Sequence, residues 1–290
     1  MQESSKPTIF IVVLNFNGKD TIASCLSSVY QSSYCNFEVV VVDNNSTDGS
    51  FELVKNQFSR AHFIKNAKNT GFACGNNVGI RFALEKFADY VLILNNDATL
   101  EKNTLARLIN TSQEKTKGII ISPLILNKDG RSVWFAGGEI NWFKMRTQHL
   151  TKISSKKLYP TQYCTGCAMF ISKEVFKKIG LFDERYFLYY EDADFSVRAK
   201  EAGFDLFISP SARVIHYEQS SIKNNLKIYW LVLSGILFFK THADFTQKIW
   251  FLFYIPLRKL KNLFLVIFKP SDAALQVRQA YKDFRKIKLN

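Results

Sequence analysis

The sequence predicts an α/β domain on a buried, mostly parallel central sheet, followed by a basic helical region. Three observations carry that reading. The runs TIFIVVL (8–14), EVVVV (38–42) and YVLIL (90–94) are apolar without polar alternation, as in strands buried on both faces. Segments of helical length separate them, which is the pattern of strand–helix–strand units. Charge is also lopsided: residues 1–218 hold 26 basic and 22 acidic side chains, whereas residues 219–290 hold 13 and 3. With 290 residues, 47% of them hydrophobic, disorder, collagen and a disulfide scaffold are excluded.

Each strand ends in polar turn residues: Asn15 and Asn17 after the first, Asp43 to Asn45 after the second, Asn95 to Asp97 after the third. Ligands of open parallel sheets bind at the carboxyl ends of the strands, so these residues are the first candidates for a site. An amphipathic helix is expected from about Asn76 to Phe87, and further short strands at 118–125 and 168–171. The Lys-, Ser- and Thr-rich stretch 144–157 reads as a loop.

A domain boundary is placed near residue 219, giving a catalytic unit 1–218 and a helical region 219–290. Beyond it, Trp250, Phe253, Tyr254, Leu257, Leu260, Leu263, Phe264 and Ile267 recur at helical spacing, punctuated by Arg258, Lys259, Lys261 and Lys269. No uncharged run there reaches the roughly 18 residues of a spanning helix. Amphipathic helices of Trp, Phe, Leu and Lys suit an anionic membrane surface; packing on the catalytic unit or on a second subunit is the competing reading. Nucleic acid is not expected, because the aromatics fall in apolar stripes. The N-terminus MQESSKP has no apolar core of a secretory signal, and five cysteines fit a reducing cytoplasm.

Four constellations carry candidate chemistry. At the strand ends, Asp43 could accept a hydrogen bond from a pyrimidine imide, and Asn95 and Asp97 could offer oxygens to Mg²⁺ or Mn²⁺. In NTGFACGNNVG (69–79), Gly71, Gly75 and Gly79 would let backbone approach a ligand, but their G-x-x-x-G-x-x-x-G spacing is not a dinucleotide fingerprint. In YEDADFSVR (190–198), Glu191 and Asp194 share a helix face at i, i+3 and Asp194 and Arg198 pair at i, i+4, which suits a solvated helix start, while carboxylates framed by aromatics are candidates for a general base. His216 gains weight only if it returns to Asp97. Cys164-Thr-Gly-Cys167 lacks a second pair and is read as loop lining.

In order, VVLNFNG, VVDNNSTDGS, NTGFACGNN, LNNDA, TGCAMF, YEDADFSVRAKEAGF and VIHYEQSS resemble the successive motifs of family 2 glycosyltransferases of the GT-A fold, particularly the rhamnosyltransferase-like branch, over about residues 7–220. The resemblance implies that Asn15, Phe16 and Asp43 hold the nucleotide base, with Asn45, Asn69, Gly71, Asn77 and Asn96 lining the nucleotide-sugar pocket. Asn95 and Asp97 fall at the two ends of the family's D-x-D metal motif, with Asn in the first place, and His216 at a position that completes the metal site. Asp192 matches the catalytic base, Glu191 being the less favoured candidate, and Thr165 and Gly166 match a loop facing the acceptor. The implied activity is inverting transfer of a sugar, first rhamnose from dTDP-rhamnose and otherwise a UDP-hexose, to a lipid-linked or polysaccharide acceptor, with divalent-metal assistance. The implied place is the cytoplasmic face of the cell membrane, and a homo-oligomer stays open. The alternative is an idle GT-A module that binds nucleotide sugar or scaffolds a membrane complex.

Overall fold

The computed structural model describes residues 6–113, 118–218 and 224–287. The chain forms β1 (Ile9–Asn15), α1 (Ile22–Tyr30), β2 (Phe37–Asp43), α2 (Ser50–Gln57), β3 (His62–Lys65), α3 (Gly71–Glu85), β4 (Tyr90–Asn95), β5 (Ala98–Leu100) and α4 (Thr104–Gln113). There follow β6 (Ile119–Asn127), β7 (Val133–Phe135), β8 (Gly138–Asn141), β9 (Arg146–His149), β10 (Tyr159–Pro160), β11 (Ala168–Ser172), α5 (Lys173–Ile179), α6 (Glu191–Glu201) and β12 (Asp205–His216). Three helices close the chain: α7 (Asn224–His242), α8 (Phe245–Phe268) and α9 (Asp272–Asp283).

The main sheet runs β10-β12-β6-β11-β4-β1-β2-β3, with β5 added to β12 and β7 to β6. β1, β2, β3 and β4 are mutually parallel, and β11 is antiparallel to both of its neighbours, β4 and β6. Register aligns the strand ends: Asn15 lies opposite Asp43, and Leu14 opposite Asn95. The polar residues that stop three strands therefore share one edge, which is where a parallel sheet offers its ligand crevice. Ile9 to Val13, Val39 to Val42 and Val91 to Leu94 are buried, which explains their lack of alternation.

Three expectations are corrected. Helix α3 starts at Gly71, not near Asn76, because Gly75 and Gly79 let it lie flat on the sheet: a Cβ on Gly79 would sit 2.4 Å from Val12 Cγ1, and one on Gly75 2.5 Å from Leu14 Cδ1. Those glycines serve helix–sheet packing, not a ligand. The stretch 144–157 is not wholly loop, since it contains β9, which pairs with β8. Its polar composition hid a strand whose partner is only a short hairpin turn away.

The third correction concerns the boundary. Residue 219 itself lies outside the described residues, but α7 beyond it joins the core of the preceding unit. Ile236, Leu237, Phe238 and Phe239 are buried there, with the Phe238 ring stacked on Trp142 at 5.8 Å and tilted against Tyr190 at 5.4 Å. At its end His242 Nε2 lies 2.7 Å from Asp194 Oδ1, whose other oxygen accepts from Arg198 Nε at 2.8 Å. The Asp194–Arg198 pair is thus part of a buried joint on the Asp194 side, not a solvated face. Phe238→Ala removes a fully buried ring and is expected to lower the urea unfolding free energy by about 3 kcal/mol.

Candidate active site

A cavity of about 910 Å³ opens at the shared strand edge. Asn95, Asn96 and Asp97 enter it from the end of β4, His216 from the end of β12, Phe16 and Asn17 from the end of β1. The return of β12 is specific: it pairs antiparallel with β5 so that His216 lies opposite Ala98, and Tyr217 N donates to Asp97 O at 2.9 Å. As a result His216 Nε2 is 3.1 Å from Asp97 Oδ1, across 119 positions of sequence. Burial disfavours the charged imidazole, yet the Cys167 sulfur and the Asp97 carboxylate outweigh it and raise the His216 pKa.

These residues fit a divalent cation in a limited way. Among the described residues no group of three or more His, Cys, Asp or Glu converges on one point. Asp97 and His216 form a pair of ionisable donors, His216 Nδ1 is buried with no hydrogen-bond partner among the described residues, and Asn95 adds a neutral oxygen at the same wall. Two or three protein donors suffice for Mg²⁺ or Mn²⁺ when substrate phosphates and water complete the shell.

The second wall is the start of α6. Gly166 N donates to Asp192 Oδ2 at 2.9 Å, and Thr165 and Gly166 line the cavity beside it. A Cβ at 166 would lie 3.0 Å from the Phe72 ring, so a side chain there would push that ring aside. Burial pushes the Asp192 carboxyl up, opposed by the Gly166 and Ala193 N–H groups that favour its charged form. Burial and then the charge of Asp192 push Glu191 well up, and Glu191 Oε2 has no hydrogen-bond partner among the described residues. The two residues before this pair, Tyr189 and Tyr190, have φ of 67° and 68°. Consecutive left-handed tyrosines are strained, and such strain persists where surrounding packing over-determines it. Here the Tyr190 ring is clamped by Phe238 and Phe239 of α7.

Four expected pocket residues do not reach the cavity wall. Asn15 Nδ2 donates to Asp43 Oδ1 (2.8 Å) and Ser50 Oγ (2.9 Å), while its Oδ1 accepts from Asn96 Nδ2 at 2.9 Å. Asp43 in turn accepts from Ser46 N at 2.8 Å and Ser46 Oγ at 2.6 Å. This buried network braces the β1 and β2 ends against Asn96, with Asn15 and Asp43 outside the cavity lining. Asn45 is exposed, in a turn with φ 64°. Asn77 ties α3 to the 182–184 segment, donating to Phe182 O (2.9 Å) and Glu184 Oε1 (3.0 Å). Phe16, Asn69 and Gly71 do line the cavity, Asn69 Oδ1 accepting from Gly71 N at 2.9 Å. Gly71 has φ 83°, and a Cβ there would meet Phe187 O at 2.3 Å.

Sequence reasoning missed an aromatic wall. Trp134 sits between His149 and His216, with centroids at 4.4 and 4.5 Å, and Thr147, Gln148 and Tyr163 complete that side. Burial, and then His216, push His149 down to about 4, so it is neutral at physiological pH. Lys227 and Leu231 of α7 also line the cavity. The available signal was the aromatic density of 134–163.

A sequence profile described as Glycosyl transferase family 2 matches residues 10–180, more than half of the chain. The chain belongs to glycosyl transferase family 2. It is a transferase of that family. A profile described as N-terminal domain of galactosyltransferase matches residues 146–220. Among curated relatives, a Haloferax volcanii low-salt glycan biosynthesis hexosyltransferase is 28% identical over 79% of this chain and 74% of its own. A Shigella flexneri dTDP-rhamnosyl transferase is 24% identical over 72% and 68%. A Mycobacterium tuberculosis N-acetylglucosaminyl-diphospho-decaprenol L-rhamnosyltransferase is 24% identical over 73% and 76%. The GT-A fold is matched by GalNAc-T7 with UDP, GalNAc and Mn²⁺ (TM-score 0.67, 17% identity, 98% of this chain and 57% of that one). Staphylococcus aureus TarS matches at TM-score 0.59, 17% identity, 96% and 49%. The glycosyltransferase thus spans about half the length of these solved structures.

The raised pKa of Glu191 has a defined consequence for stability. A carboxyl whose folded pKa exceeds its unfolded value contributes stability below about pH 4 and loses it as pH rises through the folded value. Glu191→Gln is therefore expected to raise the melting temperature relative to wild type at pH 8 and to leave it little changed at pH 4, as read by thermal melts across that range.

Proposed function

We propose that this glycosyltransferase moves a sugar from a nucleotide-diphosphate donor to a hydroxyl of a lipid-linked or polysaccharide acceptor, with inversion, using Asp192 as base. The observation that carries the reading is the placement of Asp192 in the same cavity as Asn95, Asp97 and His216. A cavity of about 910 Å³ is within the range of small-ligand sites and suits a nucleotide sugar with an acceptor group beside it. The relatives' names favour rhamnose from dTDP-rhamnose, and a lipid diphosphate acceptor.

In the proposed reaction the acceptor hydroxyl binds against Thr165, Gly166 and Asp192. Asp192 takes its proton as the acceptor oxygen attacks the anomeric carbon, and the bond from that carbon to the diphosphate oxygen breaks on the opposite face. The Gly166 N–H fixes the carboxylate oxygen, and burial raises its basicity toward the working pH. Burial and the Asp192 charge hold the neighbouring Glu191 carboxyl well above the usual carboxylate range. Phe16, Asn69, Gly71 and Asn96 line the donor side, with Asn15 and Asp43 bracing Asn96 from beneath. Asp97 and His216, with Asn95, would hold Mg²⁺ or Mn²⁺, which when bound neutralises charge on the leaving diphosphate.

The proposed location is the cytoplasmic surface of the cell membrane. No helix among the described residues is long and apolar enough to cross a membrane. Support comes from α8, which leaves Leu252, Phe253, Leu257, Leu260, Phe264, Ile267 and Phe268 exposed along one stripe, flanked by Lys248, Arg258, Lys259, Lys261 and Lys269. That combination suits an interface with anionic lipid.

Asp192→Asn is expected to lower transfer by about 10²- to 10⁴-fold while the dissociation constant for the nucleotide diphosphate stays unchanged. Wild-type turnover in that variant would overturn the assignment. Calorimetry of UDP and dTDP should show tighter binding with Mn²⁺ in wild type and lose that gain in Asp97→Ala.

A further inference from the structure

A second cavity, of about 370 Å³, lies away from the active site, between α7, α8 and the turn that follows α9. Ile236, Ile255 and Tyr281 are its buried apolar floor, and Phe284 and Ile287 extend it. Three cations, Lys240, Lys259 and Arg285, stand around it, one from each of the three elements. Two of them are aimed by aromatic rings: Lys240 Nζ lies 5.4 Å from the Phe284 centroid and Lys259 Nζ 5.3 Å from that of Tyr281. No carboxylate lines the cavity among the described residues. The acid nearest in sequence, Asp283, is already engaged by Lys286 Nζ (2.7 Å), Gln279 Nε2 (2.7 Å) and Tyr229 Oη (3.1 Å).

Three like charges gathered over an apolar floor are costly without a counter-ion, and the cost falls most on Lys259, whose pKa is lowered by burial and then by Arg285 and Lys240. Nothing in catalysis uses these groups. The cavity also adjoins the apolar stripe of α8: Lys259 is one helical turn from exposed Leu263 and two turns from exposed Leu252.

We propose that this cavity is a binding site for the phosphate headgroup of a membrane lipid, one carrying about two negative charges, with part of the lipid's apolar body on the Ile236, Ile255 and Tyr281 floor. The proposal rests on the reading that α8 lies against a membrane. It goes beyond that reading by assigning headgroup selectivity to three named side chains. A doubly charged phosphate matches three cations better than a carboxylate or a singly charged diester does, because each extra charge contact in this partly desolvated setting adds to the attraction. The apolar floor would be left wet by a free inorganic anion, so the site favours an amphiphile.

The test uses the full chain and phosphatidylcholine vesicles doped with phosphatidic acid or, at matched surface charge, with phosphatidylserine, read by co-sedimentation. Wild type should prefer phosphatidic acid by about tenfold, on the scale of one or two cation contacts. The triple variant Lys240→Gln, Lys259→Gln, Arg285→Gln should lose that preference. A control triple with the same charge loss on α8, Lys248→Gln, Lys261→Gln, Lys269→Gln, should bind both vesicles less well but keep it. Folding is monitored by melting temperature, which removal of like charges in the first triple should hold or raise; Lys259→Gln alone should give an intermediate preference. Equal preference in both triples, or none in wild type, overturns the site while leaving membrane attachment intact. Failure of wild type to bind any of these vesicles overturns the membrane reading as well. Stabilisation of wild type but not the first triple by inorganic phosphate, without a phosphatidic acid preference, would make it a small-anion site and refute the lipid assignment.

Discussion

The register of β12 against β5 governs the site. Placing His216 opposite Ala98 fixes Tyr217 N on Asp97 O and sets the imidazole 3.1 Å from the Asp97 carboxylate. A slip of one residue would turn His216 to the other face of the sheet and dissolve the pair. The irregularity between Ser209 and Arg213, where β12 pairs with β6, is what carries the long strand past its neighbour to that register. This corner brings the end of β12 to the wall formed by Asn95, Asn96 and Asp97.

The wall formed by Glu191 and Asp192 is held by a different device. Glu191 and Asp192 begin α6 immediately after two tyrosines in the left-handed region, and that conformation is kept by rings packed from α7. The same helix supplies His242 to Asp194 and Lys227 and Leu231 to the cavity. Helix α7 therefore belongs mechanically to the catalytic unit, although its charge and composition resemble those of the helices beyond it. The apolar residues of its C-terminal half join the protein core, whereas most of those of α8, Phe251 and Ile255 aside, are left at the surface. Two helices of similar composition are thus divided between core and proposed membrane face.

The network beneath the wall of Asn96 shows how polar residues at strand ends can brace one another. Asn15, Asp43, Ser46 and Ser50 satisfy one another in a buried cluster and present Asn96 to the cavity. Such a network is rigid only while every member is bonded. Asn77 plays the equivalent part for the segment that leads into the strained tyrosines, since it bonds Phe182 and Glu184.

Sequence by itself determined the α/β class, the first parallel strands, the polar carboxyl edge and the family, because unbroken apolar runs and ordered motifs are local properties. It also identified Asn95, Asp97, Glu191, Asp192 and His216 as the residues to watch, by type and neighbourhood. Only the tertiary structure decided which of the candidates meet. Asn15 and Asp43 lie under the cavity and not in its wall, Asn77 faces a loop, and Gly75 and Gly79 face the sheet, because the direction of a side chain follows from packing of elements distant in sequence. The hairpin of β8 and β9 and the wall of Trp134, His149 and Tyr163 were hidden for the same reason. So was the division of the basic tail between α7 and α8: an amphipathic stripe is written in the sequence, but whether protein covers it is settled only when the rest of the chain has folded against it.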